Sequence, residues 1–155
     1  METLKIQIPE GYKVDSFDTE NGVVKFAPLP KDIKERIKSI DDACKELGEN
    51  DEEVMELFKL QEAGITSHIL YTQMLVVIAK ALNEGWKPDW TNGEWDKYFP
   101  WFTMGSPSGV GFSYGGCGSR GSASIVGSRL CFKSSELAKY AGKQFLDIYK
   151  KSFTI

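Results

Sequence analysis

The chain has 155 residues, 41% of them hydrophobic and 26% charged, with a formal net charge of −3. That length suffices for one domain whose core needs neither disulfides nor metal, and no apolar run approaches the ~18 residues of a membrane span. A pI near 5.3 gives the surface as a whole no attraction for nucleic acid or an anionic membrane. Three cysteines, Cys44, Cys117 and Cys131, leave at least one thiol unpaired and show no CxxC spacing, and Pro9 falls where a secretory signal needs its apolar stretch; both suit a reducing cytoplasm. Charge is uneven: residues 41–62 are rich in Asp and Glu, residues 120–155 in Lys and Arg, which points to a bipolar surface.

In chain order, "TLKIQI" alternates as a strand should, and "GVVKFAP" carries the β-branched pair Val23 and Val24. The two are expected to pair, with Asn21-Gly22 suited to a tight turn although the gap from Pro9 is long for a simple hairpin. Ile33, Ile37, Ile40, Cys44 and Leu47 share one side of a helix that ends at Gly48. Ser39 ahead of Asp41 and Asp42 offers a fresh cap, which leaves a break and a continuous helix both open. Val54, Leu57, Phe58 and Gln61 predict a short helix over 51–62, closed by Gly64. The strongest periodicity covers 67–84, capped by Thr66 and ended by Gly85, Trp86 and Pro88.

From Tyr98 the period changes to two. "KYFPWFTMG", "GVGFSYG" and "SIVGSRLCF" predict three short antiparallel strands, and Ser134 caps a last helix on which Leu137, Ala141, Phe145, Ile148 and Ser152 share a face. The expected architecture is α+β. One domain over 1–155 carries an antiparallel β meander packed against helices 67–84 and 134–152, with an N-terminal β pair nearby.

"GCGSRG", residues 116–121, matches the Gly-x-Gly-x-x-Gly spacing of a dinucleotide loop, and Glu136 lies about twenty residues beyond its start. That motif needs a helix starting within it, whereas Ser-Ala-Ser-Ile-Val-Gly-Ser follows, with no room for a crossover helix before Ser134. A Walker loop fails for want of a lysine directly after Gly121. The stretch is therefore expected to be a mobile strand connection that holds no cofactor. Cys117 beside Arg120 is a candidate thiolate, but the one histidine, His68, lies in a distant helix, so Cys117, Arg120 and His68 are weak catalytic candidates, for an enzyme using a thiol or a nucleotide. One histidine and three scattered cysteines make no metal cluster.

All four tryptophans fall within residues 86–101. The first expected role of Trp86, Trp90 and Trp101 is to anchor a loop on the core helix and sheet. A single-stranded nucleic-acid platform is the alternative, with Arg129, Lys133, Lys139 and Lys143 following phosphates and Tyr98, Phe102 or Tyr114 stacking on bases.

"VGSRLCFKSSELAKYAGKQFLDIYK" at 126–150, together with "DDACKELG" at 41–48 and "ALNEGWKPDW" at 81–90, resembles small uncharacterised proteins encoded by phages, prophages and mobile elements of gut Bacteroides-type bacteria. The likeness lapses at "SYGGCGSRGSAS", where relatives are expected to vary in length. That family has no established activity, so the resemblance carries over no site residue. It implies an intracellular accessory protein acting on replication or host defence. With no acid–base, nucleophile or metal constellation, the leading expectation is a noncatalytic protein that binds a protein partner.

Overall fold

A computed structural model describes residues 5–29 and 31–155. The fold is α+β, and its contacts fall into two compact units, Met1–Asp32 and Ile33–Ile155.

The first unit is an antiparallel hairpin of β1 (Tyr12–Asp18) and β2 (Val23–Pro28). A β pair was expected here, but with a different first strand. Lys5–Ile8 lie outside any strand, and Thr3 and Leu4 fall outside the described residues. A turn at Pro9–Tyr12, with Gly11 at φ 80° and the Tyr12 N–H donating to the Pro9 carbonyl, sets the strand's start. The connection shrinks to residues 19–22. Asp18 organises it by accepting from the Glu20 and Asn21 N–H groups and from the Asn21 side chain, and Gly22 takes φ 66°.

The β1–β2 register explains a spacing that alternation alone misreads. Tyr12 faces Pro28, Val14 faces Phe26 and Phe17 faces Val24, with a bulge between Val14 and Ser16. A bulge sets one extra residue against the partner strand, here Asp15, so Val14 and Phe17, three apart, return to the same side. One face of the hairpin is thus Tyr12, Val14 and Phe17 over Pro28, Phe26 and Val24. The other carries Lys13, Ser16 and Lys25.

The second unit holds six helices and a second hairpin. The helical stretch from Ile33 does break, into α1 (Ile33–Arg36) and α2 (Ile40–Leu47). Ser39 and Asp42 form a reciprocal capping box that satisfies N–H groups a continuous helix would have bonded internally. Asp51 caps α3 (Glu52–Glu62). Ser67, one residue beyond the expected Thr66, caps α4 (His68–Leu82), its hydroxyl accepting from the Ile69 N–H.

Along its second half α4 is buried nearly all round, as befits a central helix, with Leu75, Val77, Ile78 and Leu82 at its heart. It contacts α2, α3, α5 (Ser135–Gln144) and α6 (Leu146–Phe153). The expected single C-terminal helix is interrupted at Phe145 (φ −110°, ψ 28°), whose buried ring seats in the core between the two segments.

β3 (Lys97–Thr103) and β4 (Ser113–Arg120) form the second antiparallel pair, packed against α5. Gly142 allows the approach, since a Cβ there would lie 2.7 Å from the Tyr114 ring and 2.8 Å from Pro100. The expected third strand of the meander shrinks to one bridge. Tyr98 and Phe132 exchange both backbone hydrogen bonds, while a turn that puts Gly127 at φ 74°, its N–H on Ser124 Oγ, diverts the chain beforehand. Phe132 is fully buried, so this single rung still ties the sheet to the helical core.

Candidate functional site

Alternation along β3 divides its side chains between two faces. Tyr98, Pro100 and Phe102 turn toward the helices, whereas Lys97, Phe99 and Trp101 lie on the outer face. There they meet the glycines of "GCGSRG". The segment expected to be a mobile loop is strand, because Gly116–Arg120 pair with Lys97–Trp101. Glycines in a strand mark close approach, and a Cβ on Gly118 would stand 2.9 Å from the Phe99 ring, one on Gly116 2.8 Å from the Trp101 indole. The extra residue of this hairpin's bulge, Gly115, leaves even less room, at 2.1 Å from Trp101. The glycines are a floor for aromatic rings, and Trp101 lies on it with 49% of its surface exposed.

At the end of the same face Lys97 is 1% exposed. Its ammonium donates to the Asn92 and Gly121 carbonyls at 3.0 and 2.9 Å and sits 5.3 and 5.6 Å from the Trp90 and Trp95 rings. Carbonyl acceptors and ring faces together replace its hydration. Trp90 in turn donates to Ser128 Oγ at 2.8 Å, and Trp95 meets Trp86 edge to face. Trp86 and Trp90 thus help to hold this loop in place, as expected of them, whereas Trp101 takes no part in it.

The weak catalytic candidates are not assembled. Cys117 is mid-β4, His68 is the exposed first residue of α4, and no hydrogen bond joins them. Burial pushes the Cys117 thiol above its ordinary value, and the cation that partly opposes this is Lys139, not Arg120. Arg120 instead donates to the Ser119 carbonyl at 2.7 Å. Burial likewise raises Cys44 and Cys131. Among the described residues no three His, Cys, Asp or Glu gather as a metal site.

The expected nucleic-acid platform faces the wrong way. Tyr98 packs against the core. Phe102 stacks on Phe112 and touches Tyr149, Tyr114 and Phe153, while Tyr114 lies beneath the Lys143 ammonium and against Gly142. Arg129 pairs with Glu53 of the acidic segment at 3.4 Å and Lys133 with Glu84 at 2.8 Å, so neither cation is left for phosphate alone. Lys139 and Lys143 remain exposed beside a shallow recess with Glu136 and Tyr140. Trp101, expected to anchor a loop on the core, is instead the exposed ring of β3. Its signal was the run of glycines that becomes its partner strand.

A larger cavity, about 510 Å³, opens between the start of α3, the second half of α4 and the segments around Trp86 and Arg129. Val76, Trp86 and Pro88 give it apolar wall, and Lys80, Lys87 and Arg129 bring three cations against the Glu53 carboxylate. Asp51 holds Lys80 at 2.7 Å. Burial opposes ionisation of Asp51, but the Lys80 ammonium and the Glu53 N–H outweigh it and keep the carboxyl below the usual range. The Trp86 indole N–H is buried without an acceptor among the described residues.

No described helix is long and apolar enough to cross a membrane. The chain matches no family model, no curated protein and no solved structure.

Proposed function

We propose that the chain is a noncatalytic accessory protein that binds a protein partner through the apolar face of the β1–β2 hairpin. The observation that carries this reading is the bulge at Asp15, which brings Tyr12, Val14 and Phe17 onto one side while leaving each at least 44% exposed. A two-stranded hairpin is marginal in water until a third strand or another surface covers its apolar face. Contiguous exposed apolar side chains on one face, with Lys13 and Lys25 on the other, fit a protein contact. The raised thiols support a noncatalytic role, since a thiol held neutral is a poor nucleophile. The resemblance to phage and mobile-element proteins supplies the setting, a cytoplasmic partner of the host or of the element.

Crosslinking from producing cells, with wild type and Val14→Asp/Phe17→Asp compared, tests it. A partner recovered reproducibly with wild type and lost with the double variant is expected. Equal recovery with both, or none with either, overturns the reading.

A second reading, single-stranded nucleic-acid binding, is favoured by one observation, the Trp101 ring exposed on its glycine floor with Arg120 on the same strand face. Anisotropy with labelled oligonucleotides at two salt concentrations should then show about 0.7 in log-log slope per phosphate contact and a loss of affinity in Trp101→Ala. Binding indifferent to salt and to Trp101 removes it.

A further inference from the structure

The cavity beside Trp86 lies wholly within the second unit, and nothing in the hairpin reading uses it. Its volume falls within the ~300–1,000 Å³ of ordinary small-molecule pockets, which combine an apolar wall with a few convergent polar groups. Val76, Trp86 and Pro88 supply its apolar lining, and Lys80, Lys87 and Arg129 gather positive charge on a chain whose net charge is −3.

The cations differ in what they can offer. Lys80 is committed to Asp51 at 2.7 Å. Arg129 reaches Glu53 through Nε alone, at a long 3.4 Å, and its two terminal nitrogens take no hydrogen bond among the described residues. A guanidinium in that state presents a fork suited to a carboxylate or phosphate. Lys87 has no acidic partner among the described residues and stands on the segment that follows α4. Ser128 accepts from Trp90 Nε1, which leaves the proton of its own hydroxyl for an acceptor in the cavity. Glu53 is turned inward by the Gln73 side chain, which donates to its carboxylate and to its carbonyl, so the negative charge of the lining is already bonded.

We propose that this cavity binds a small planar aromatic anion, its ring against the Trp86–Pro88 wall and its carboxylate or phosphate on Arg129, Lys87 and the Ser128 hydroxyl. An amide or an ammonium of the same shape brings no negative charge to Arg129 and Lys87, and is disfavoured.

Four probes of one shape separate the contributions: benzoate, phenyl phosphate, benzamide and benzylammonium. Tryptophan fluorescence, to which Trp86 contributes from the cavity wall, is titrated with each, for wild type and for Lys87→Gln/Arg129→Gln. Both side chains are exposed, so the double variant is expected to keep the wild-type melting temperature. The expected result is saturable binding of the two anions, weakened by about tenfold or more in the double variant, with neither benzamide nor benzylammonium binding comparably. Benzamide binding as well as benzoate, anion binding unchanged in the double variant, or no saturable change with either anion overturns the proposal. Inorganic phosphate, titrated alongside, must bind more weakly than phenyl phosphate; equal binding would show that the apolar wall contributes nothing and likewise overturn it.

Discussion

Among the described residues are two antiparallel hairpins of similar size, each with one bulge, and they differ in what lies against them. In β3–β4 the inner face meets α5 and the outer face is filled by Phe99 and Trp101 lying on glycines of the partner strand. In β1–β2 the whole first strand is exposed, and Phe17 retains 56% of its accessible surface. Strand pairing is alike in both, so pairing does not make the difference. Burial of one face does, because a ladder alone offsets little of the chain's conformational entropy.

The largest way to break the contrast is to strip the core tie of the covered hairpin. Phe132→Ala removes a fully buried ring at the Tyr98 bridge and should cost about 3–5 kcal/mol in chemical denaturation, lowering the midpoint of the second unit. Next comes the cover itself. Gly142→Val drives side-chain atoms into Pro100 and Tyr114, so α5 and the sheet must part, at roughly 1–3 kcal/mol by the same measurement.

A smaller effect separates the two connecting turns. The Asn21 side chain, joined by the N–H groups of Asn21 and Glu20, holds the Asp18 carboxyl below its ordinary value of 3.8. A carboxyl lowered by folding stabilises above its unfolded pKa, and that contribution fades as pH falls through the folded value. The β3–β4 connection relies on the Ser106 hydroxyl, which accepts from Val110 N–H and does not titrate there. Amide exchange compared at pH 6 and pH 3 should therefore show added opening at Glu20 and Asn21 and no matching change at Val110. The smallest expected change is in stability at the bare face: Phe17→Ser should stay within about 0.5 kcal/mol of wild type. A loss of several kcal/mol would mean that Phe17 is covered in solution.

The same comparison shows why some elements were legible and others not. Capping chemistry is local, so Ser39 and Ser134 announced their helices and the break after α1 was available as an option. β1 was missed because the bulge puts Val14 and Phe17 three apart, which hides a period of two, while "TLKIQI" alternates and supplied a decoy. β4 was read as strand only as far as Gly115, and Gly116–Arg120 as a loop, because these glycines carry no side-chain pattern of their own; their meaning lies in Phe99 and Trp101 across the ladder. Tyr98 and Phe102 were expected to stack on bases but turn inward, since alternation shows that two faces exist without showing which one a helix will cover. The cavity had no local signal either, being assembled from Glu53, Trp86 and Arg129, far apart in sequence.

The enclosure of Lys97 has a use of its own. Its amine lies under two indoles with its hydrogens directed at carbonyls, while most of the chain's other lysines have ammonium groups open to solvent. An amine-acylating reagent will mark those quickly and reach Lys97 only when the tryptophan segment lifts from the end of β4. Acylated Lys97, read by mass spectrometry over time and compared with an open lysine, then gives the fraction of time this side of the molecule stands apart.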